Sequence, residues 1–181
     1  LLGHPVEFGQ NYDHIHYNIR FADGTVVNPE FASKPIPDHQ LPTVVESMAV
    51  ARDGSTRPLT AELSELPAEF VVVTFDTRES SPYQHPPSRA SIRFENGAQA
   101  QWDFRQSLTR EDGSFPPLTE VFASSIRAPS GRTYTTDGGY GTGQSVIRLK
   151  TPPGAHGAFT IELEDAAGNI SRTQGRVRSR I

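Results

Sequence analysis

Phe70-Val71-Val72-Val73-Thr74-Phe75 is the strongest run of apolar and β-branched residues in the chain. Valine, phenylalanine and threonine fit the pleated, half-buried surface of a sheet. A short apolar run that polar residues bound is typical of a buried strand, and Glu69 and Asp76 bound this one. The run therefore predicts a buried strand, and the rest of the chain is interpreted around it.

Shorter segments on both sides of this run show the alternation of apolar and polar residues that is typical of strands with one buried face. The turn pairs Asp53-Gly54 and Asn96-Gly97 separate some of them. The segments predicted as strands are 41–50, 59–66, 90–95, 98–104, 121–126, 146–149 and 158–163. Many short strands between turn signals predict an all-β chain that contains a β-sandwich.

The composition narrows the classes of function. The chain has 181 residues and a net charge of -4, with 15 glycines, 15 prolines and no cysteine. The absence of cysteine excludes disulfides and thiol chemistry, and the acidic balance gives no support for nucleic-acid binding. No apolar run approaches the length of about 18 residues that a membrane-spanning helix needs. We therefore expect no nucleic-acid partner and no membrane span.

The segment Asp13-His14-Ile15-His16-Tyr17-Asn18-Ile19-Arg20-Phe21 is predicted to be a strand, because apolar and polar residues alternate along it. His14 and His16 then stand on the same face, roughly 6.5–7 Å apart along the backbone. Two neutral imidazoles at this spacing can reach one zinc ion. A lone H-x-H is a weak motif, however, and two polar residues on the wet face of an edge strand give the same pattern.

The residues after this strand extend the pattern with Asp23-Gly24, Val26-Val27 and Asn28-Pro29. The order H-x-H, aromatic, x, Ile-Arg, glycine turn, two valines and Asn-Pro resembles the C-terminal end of the lysostaphin-type zinc endopeptidases, which cut peptide cross-links in bacterial cell walls. The resemblance covers about residues 1–37. It implies the end of a small antiparallel peptidase β-core, with His16 as a zinc ligand and His14 as the catalytic histidine.

The other two zinc ligands of that family come from an upstream His-x-x-x-Asp, and this spacing does not occur in the chain. The resemblance therefore implies that the chain is the C-terminal part of a longer protein that carries the rest of the zinc site. No signal-peptide pattern precedes residue 20, although a cell-wall enzyme is expected to have one. Zinc is accordingly expected only where the full peptidase site is assembled.

Four prolines between residues 29 and 42 prevent a regular ladder and predict an extended linker. A domain boundary is therefore placed near residue 40, with a peptidase-like fragment and linker at 1–40 and a sandwich at 41–181. The segment Asp165-Ala166-Ala167-Gly168-Asn169-Ile170-Ser171 resembles the last hairpin of bacterial immunoglobulin-like domains. This second resemblance implies an immunoglobulin-like β-sandwich after the peptidase-like segment.

Several acidic residues allow a functional and a structural interpretation. Asp165 and Asn169, together with Asp137, offer oxygen ligands for calcium, but stabilisation of a turn is the favoured role. Asp38 and His39 offer metal ligands within the linker, and a solvated linker is the favoured interpretation.

Three further features have a favoured structural interpretation. The glycine-rich segment 137–143 is not followed by the Lys and Ser or Thr of a phosphate loop, and predicts a turn. Trp102 and Phe104 form either a sugar-binding platform or part of the core, and the core is favoured. The arginines near the end of the chain could contact anionic polymers or simply lie in solvent, and solvation is the favoured interpretation. These residues are Arg172, Arg176, Arg178 and Arg180.

Two functions from different classes stay open. The first is a zinc metalloendopeptidase that acts on bacterial peptidoglycan in the periplasm, in the cell envelope or outside the cell, with this chain as its inactive C-terminal portion. The second is a non-catalytic envelope binding or scaffold protein, with a degenerate peptidase core and an immunoglobulin-like interaction domain. Its partners would be peptidoglycan peptides or another envelope protein. A companion chain that completes the peptidase core is a third arrangement.

Overall fold

The computed structural model describes residues 19–28, 31, 37–59, 62–78, 81–108, 112–136 and 144–178. These residues are almost entirely strands, turns and loops, which confirms the all-β prediction. In chain order the elements are β1 (Ile19–Arg20), β2 (Val26–Val27), β3 (Thr43–Val50), β4 (Thr56–Pro58), β5 (Glu62–Leu63), β6 (Glu69–Arg78), β7 (Ser81–His85), β8 (Arg89–Phe94), β9 (Gln99–Asp103), α1 (Leu118–Val121), β10 (Ile126–Arg127), β11 (Thr133–Tyr134), β12 (Ser145–Lys150), β13 (Gly157–Glu164) and β14 (Ile170–Val177).

Most of these strands form two sheets. Sheet one has the order β12–β6–β3–β4, and β7 pairs with the end of β6. Sheet two has the order β5–β14–β13–β8–β9. Neighbouring strands are antiparallel, except that β5 runs parallel to β14. Buried side chains of both sheets belong to one apolar core, so the two sheets form a β-sandwich.

Aromatic rings join the two sheets at the centre of this core. The ring of Phe70 in sheet one lies 6.1 Å from that of Phe94 and 4.9 Å from that of Phe159, both in sheet two. Gly175 stands opposite Phe159 on the neighbouring strand, and a Cβ added there would lie 2.5 Å from the ring's Cζ atom. The strand β14 therefore needs a glycine at this position to admit the ring.

The predicted buried strand is confirmed, because β6 is buried along most of its length; it lies between β3 and β12. Phe70 and Val72 point into the sandwich core, whereas Val71 and Val73 point to the opposite face. Residues 118–134, which we call the cover segment, lie over that second face with α1 and the β10–β11 hairpin. The cluster beneath and within the cover segment contains Met48, Val50, Val71, Val73, Ala123, Ala128, Tyr134 and Val146.

The prediction of a strand over 121–126 is wrong. The short helix α1 ends at Val121, and Phe122 makes a single bridge with Ile147. Val121 is fully buried and the ring of Phe122 stacks on that of Phe104, with centroids 5.6 Å apart. The apolar pattern here therefore marks the packing of a helical turn and a loop against the sandwich. In the described part of 59–66, the predicted strand is limited to Glu62–Leu63.

The described end of the N-terminal segment forms a short hairpin. β1 pairs with β2 in antiparallel fashion, with Ile19 opposite Val27, and Gly24 in the turn has a φ of 90°. The earlier part of the predicted strand, including His14 and His16, lies outside the described residues. The glycine-rich segment 137–143, including Asp137, lies outside them too.

Candidate metal centre

Three aspartates meet at the end of the sandwich where β3 begins and where β6 and β13 end. Asp38 precedes β3, Asp76 lies near the end of β6, and Asp165 directly follows β13. One carboxylate oxygen of each lies within 4.8 Å of the others. The three residues are 8%, 2% and 2% exposed, in that order. Side chains from three separate segments thus place their carboxylates in one buried volume.

The turn from Asp165 to Asn169 fixes the first of these carboxylates. The backbone N–H of Asn169 donates to Oδ1 of Asp165 at 2.8 Å, and its side-chain amide donates to Oδ2 at 2.7 Å. Gly168 has a φ of 90°, which a residue with a Cβ rarely adopts. The turn-stabilising role predicted for Asp165 and Asn169 is therefore confirmed, and the same turn also orients Asp165 towards the other two aspartates.

The segment 37–42 is tied to the sandwich, and we call it the strap. The side-chain amide of Asn169 donates to the carbonyl of Asp38 at 3.1 Å. Farther along, Thr77 donates to the side-chain oxygen of Gln40 at 2.6 Å, and Ser171 donates to the carbonyl of Pro42. These bonds hold the carboxylate of Asp38 at the aspartate cluster. The strap thus joins both sheets at the point where their carboxylates meet.

Two of the three carboxylates have no basic partner among the described residues. Neither Asp38 nor Asp165 forms an ion pair with a basic side chain in the described part of the chain. The carboxylate of Asp38 accepts one hydrogen bond, from the backbone N–H of Gln40 at 3.1 Å. Taking an ionised carboxylate out of water costs several kcal/mol. Carboxylate oxygens of all three residues lie within 4.8 Å of one another, so a cation bound between them would offset part of that cost.

The donor set matches a hard divalent cation. Calcium takes oxygen ligands at about 2.3–2.6 Å, so two oxygens on opposite sides of the ion lie about 4.8 Å apart. The spacing of the three carboxylates is within that limit. Zinc prefers imidazole and thiolate ligands, which are not part of this group, whereas carboxylates and carbonyls suit calcium, magnesium and manganese. The donor set thus suits an oxygen-preferring divalent cation of this group better than it suits zinc.

The histidines of the described residues do not belong to this group. His39 is exposed. Nδ1 of His156 lies 2.9 Å from the carbonyl oxygen of Gly154, in an exposed turn. The predicted zinc ligand His16 and catalytic His14 lie outside the described residues, so the zinc site stays a prediction that rests on the resemblance.

The interpretation of Asp38 as a solvated linker residue is wrong, because the strap buries it; the prediction that His39 is solvated is confirmed. No local pattern around Asp76 indicates a functional role, because in the sequence it only ends the apolar run that forms β6. The signal that singles out Asp165 is local, since the Asp-x-x-Gly-Asn turn is visible in a few residues. The other two aspartates are brought to Asp165 only when the sheets bring distant segments together.

The other candidate sites have structural roles. Trp102 packs against the core, and its Nε1–H donates to the carbonyl of Arg148 at 2.6 Å, which confirms the core interpretation. Arg172, Arg176 and Arg178 on or after β14 each pair with a glutamate, Glu162, Glu95 and Glu62 respectively. These arginines are more than half exposed, as solvation predicts.

Comparisons with known proteins do not name a family for this chain. No family model matches it, and no curated protein or solved structure matches it. Among the described residues no helix is both long and apolar enough to cross a membrane.

Proposed function

We propose that residues 37–178 form a non-catalytic binding or scaffold module of the bacterial cell envelope, in which a divalent cation such as calcium joins the strap to both sheets. The single observation that carries this proposal is the convergence of three buried carboxylates within 4.8 Å. The cation would fasten the entry segment of the module to its two layers. A module fixed in this way keeps its surfaces in one orientation relative to the entry segment. A scaffold protein needs such a fixed orientation to position its partners.

The strand order supports the expected type of module. Immunoglobulin domains place strands A, B and E in one sheet and strands C, F and G in the other. The order β3, β6 and β12 in sheet one, with β8, β13 and β14 in sheet two, corresponds to that arrangement. Modules of this architecture offer loops and edge strands to their partners. The partner proposed here is a peptidoglycan peptide or another envelope protein.

The test is thermal unfolding of the full chain after removal of metal by a chelator, with and without added calcium. At a free calcium concentration of 100 times Kd the expected stabilisation is about 2.7 kcal/mol. For a chain of this size each kcal/mol raises Tm by about 2–4 °C. Magnesium is the comparison ion, because it also takes oxygen ligands but demands shorter bonds and near-octahedral geometry. An unchanged Tm at millimolar calcium would overturn the proposal.

A substitution separates ion binding from ordinary folding. Asp38→Asn removes one negative charge but keeps the backbone carbonyl to which Asn169 donates. In metal-free buffer we expect this variant to be at least as stable as the wild type, because charge repulsion is reduced, and we expect it to lose the increase in Tm with calcium. Asp53→Asn, in the exposed turn after β3, is the matched control and should keep that increase.

The second candidate function is the zinc endopeptidase of cell-wall peptides, with this chain as part of a longer enzyme. It is favoured by the H-x-H run, and by β1 and β2, which form the hairpin expected at the end of that run. His16 would bind zinc and His14 would act on the attacking water or the oxyanion. The check is hydrolysis of purified peptidoglycan by the longer protein and by its His14→Ala variant. Equal cleavage by both would remove this role for His14.

A further inference from the structure

The hairpin of β1 and β2 does not stand alone but lies against residues 105–107, which follow the edge strand β9. The backbone N–H of Asn28 donates to the carbonyl of Arg105 at 2.8 Å, and that of Ser107 donates to the carbonyl of Val26 at 2.7 Å. Val27 and Gln106 form an antiparallel bridge between the two segments. Residues 105–107 therefore act as a third strand beside the hairpin.

The sandwich positions this third strand by contacts of its own. The N–H of Phe104 donates to the carbonyl of Ser88 at 2.8 Å. The N–H of Arg105 donates to Oδ1 of Asp103 at 3.0 Å, and its guanidinium pairs with the same carboxylate. The ring of Phe104 stacks on that of Phe122. None of these bonds involves the hairpin, so the sandwich presents an ordered backbone edge before the hairpin docks.

The hairpin needs such an edge. Among the described residues its strands are two residues each, and an isolated two-stranded hairpin is marginally stable at best in water. Two interstrand hydrogen bonds to an ordered segment, together with the half-buried side chains of Val26 and Val27, supply the missing support. Adding a strand to an exposed edge is a common mode of recognition, in which main-chain bonds supply affinity.

We infer that the segment Arg105–Ser107 is a docking strand for the hairpin that ends the predicted His14–His16 strand, so that the sandwich holds the peptidase-like segment by β-augmentation. The partner of this edge is thus a β-hairpin of the chain itself. The predicted linker between them joins two anchored points, the hairpin before it and the strap after it. The module then orients the peptidase-like segment, which a flexible tether would not do. The inference does not depend on the bound cation.

An engineered disulfide tests this docking directly, because the chain has no cysteine. The hydrogen bonds flank the Val27–Gln106 pair, which makes it a non-hydrogen-bonded pair with Cα atoms about 4.5 Å apart, a distance that a disulfide spans. We expect Val27→Cys with Gln106→Cys to oxidise to one intramolecular disulfide under mild conditions, measured by thiol titration and intact mass. The control pair, Val27→Cys with Gln101→Cys, uses an exposed position on β9 and should stay reduced.

A backbone substitution tests the same contact without a new covalent bond. Ser107→Pro removes the N–H that donates to Val26, and it lies outside the sandwich strands. We expect the amide of Asn28 to exchange with solvent at least about 10-fold faster in this variant, with the amide of Val72 in β6 unchanged. Oxidation of the two cysteine pairs at equal rates, or exchange of Asn28 at the same rate in wild type and variant, would overturn the inference. Calcium removal should change neither measurement, which separates this inference from the proposed cation site.

Discussion

The two sheets of the sandwich bury one face each against the other, but they differ on their outer faces. In sheet one the outer residues Met48, Val71 and Val146 are fully buried, because the cover segment lies over them. In sheet two the outer face, as far as the described residues show it, is polar and partly exposed. Along β13 buried residues alternate with half-buried ones, and Glu162 on its outer face pairs with Arg172 of β14.

This difference explains the two kinds of strand pattern in the sequence. A strand buried on both faces is apolar at consecutive positions, as Phe70 to Val73 are, whereas a strand with one wet face alternates. Sheet one therefore depends on the cover segment to remove its outer apolar side chains from water. Sheet two needs no cover, because cross-strand pairs of charged and polar residues suit an exposed face. The outer layer of sheet one should thus be more sensitive to substitution than the outer face of sheet two.

The largest difference in the free energy of unfolding is expected between two variants, each of which truncates a side chain on the outer face of one sheet. Met48→Ala leaves a cavity under the cover segment and should lower the free energy of unfolding by about 2–5 kcal/mol. Gln174→Ala, on the exposed outer face of sheet two, should change it by no more than about 0.5 kcal/mol. Urea unfolding followed by the fluorescence of Trp102 measures both. Similar losses for the two variants would mean that the cover segment does not bury the outer face of sheet one.

A smaller loss of stability is expected on replacement of the carboxylate that binds the cover segment to sheet one. Glu46 of β3 accepts hydrogen bonds from the hydroxyls of Ser130 and Tyr134, at 2.7 and 2.9 Å. Burial raises the pKa of Glu46, but these hydrogen bonds and nearby Arg132 outweigh it and hold the pKa below its ordinary value of 4.5. Glu46→Gln should therefore lower the free energy of unfolding by about 1–3 kcal/mol near neutral pH.

The same carboxylate predicts a pH dependence with a defined sign. Because the folded-state pKa of Glu46 is lowered, its contribution is complete above the unfolded pKa of 4.5 and is lost as the pH falls through the folded value. The difference between wild type and Glu46→Gln should therefore shrink on acidification. Unfolding of both proteins from about pH 7 down to about pH 3 checks this. A constant difference over that range would show that ionisation of Glu46 does not fasten the cover segment.

Much of the sandwich was predictable because its signals are local. The alternation of Phe159, Ile161 and Leu163 predicted β13, and all three are buried in the core as expected. The glycine turn at Asn96-Gly97 joins β8 to β9, with a φ of 85° at Gly97. These patterns depend on neighbouring residues in one strand or turn, so no knowledge of the other sheet is needed to see them.

The cover segment and the metal centre were not predictable in the same way. Val121 and Phe122 carry an apolar pattern that suits a strand or a helical turn, and only their packing on the sandwich decides between the two. The strap has the proline content of a free linker, yet bonds from Asn169 and Ser171 hold it in place. The site therefore depends on contacts between segments that are far apart in the sequence, which periodicity cannot report.

The smallest difference in stability is expected between variants of two arginines, each of which pairs with a glutamate. On sheet one, Arg148 makes two bonds to Glu69, at 3.0 and 2.9 Å, and donates to the carbonyl of Thr119 in the cover segment at 2.8 Å. On sheet two, Arg172 binds Glu162 at 2.7 Å, and its side chain is 54% exposed. Salt screens the attraction within a half-buried, bidentate ion pair less than it screens the attraction within an exposed pair.

Arg172→Ala should therefore lower the free energy of unfolding by less than about 1 kcal/mol, and this loss should disappear at high salt. Arg148→Ala should cost more, about 1–3 kcal/mol, and should keep most of its effect at the same salt concentration, because it also leaves Glu69 buried without its cation. Urea unfolding at about 0.05 M and about 1 M sodium chloride, where the screening length falls to about 3 Å, compares the two variants. Equal salt sensitivity would indicate that the cover segment does not shield Arg148, and the contrast between the covered and the open sheet would then rest on apolar burial alone.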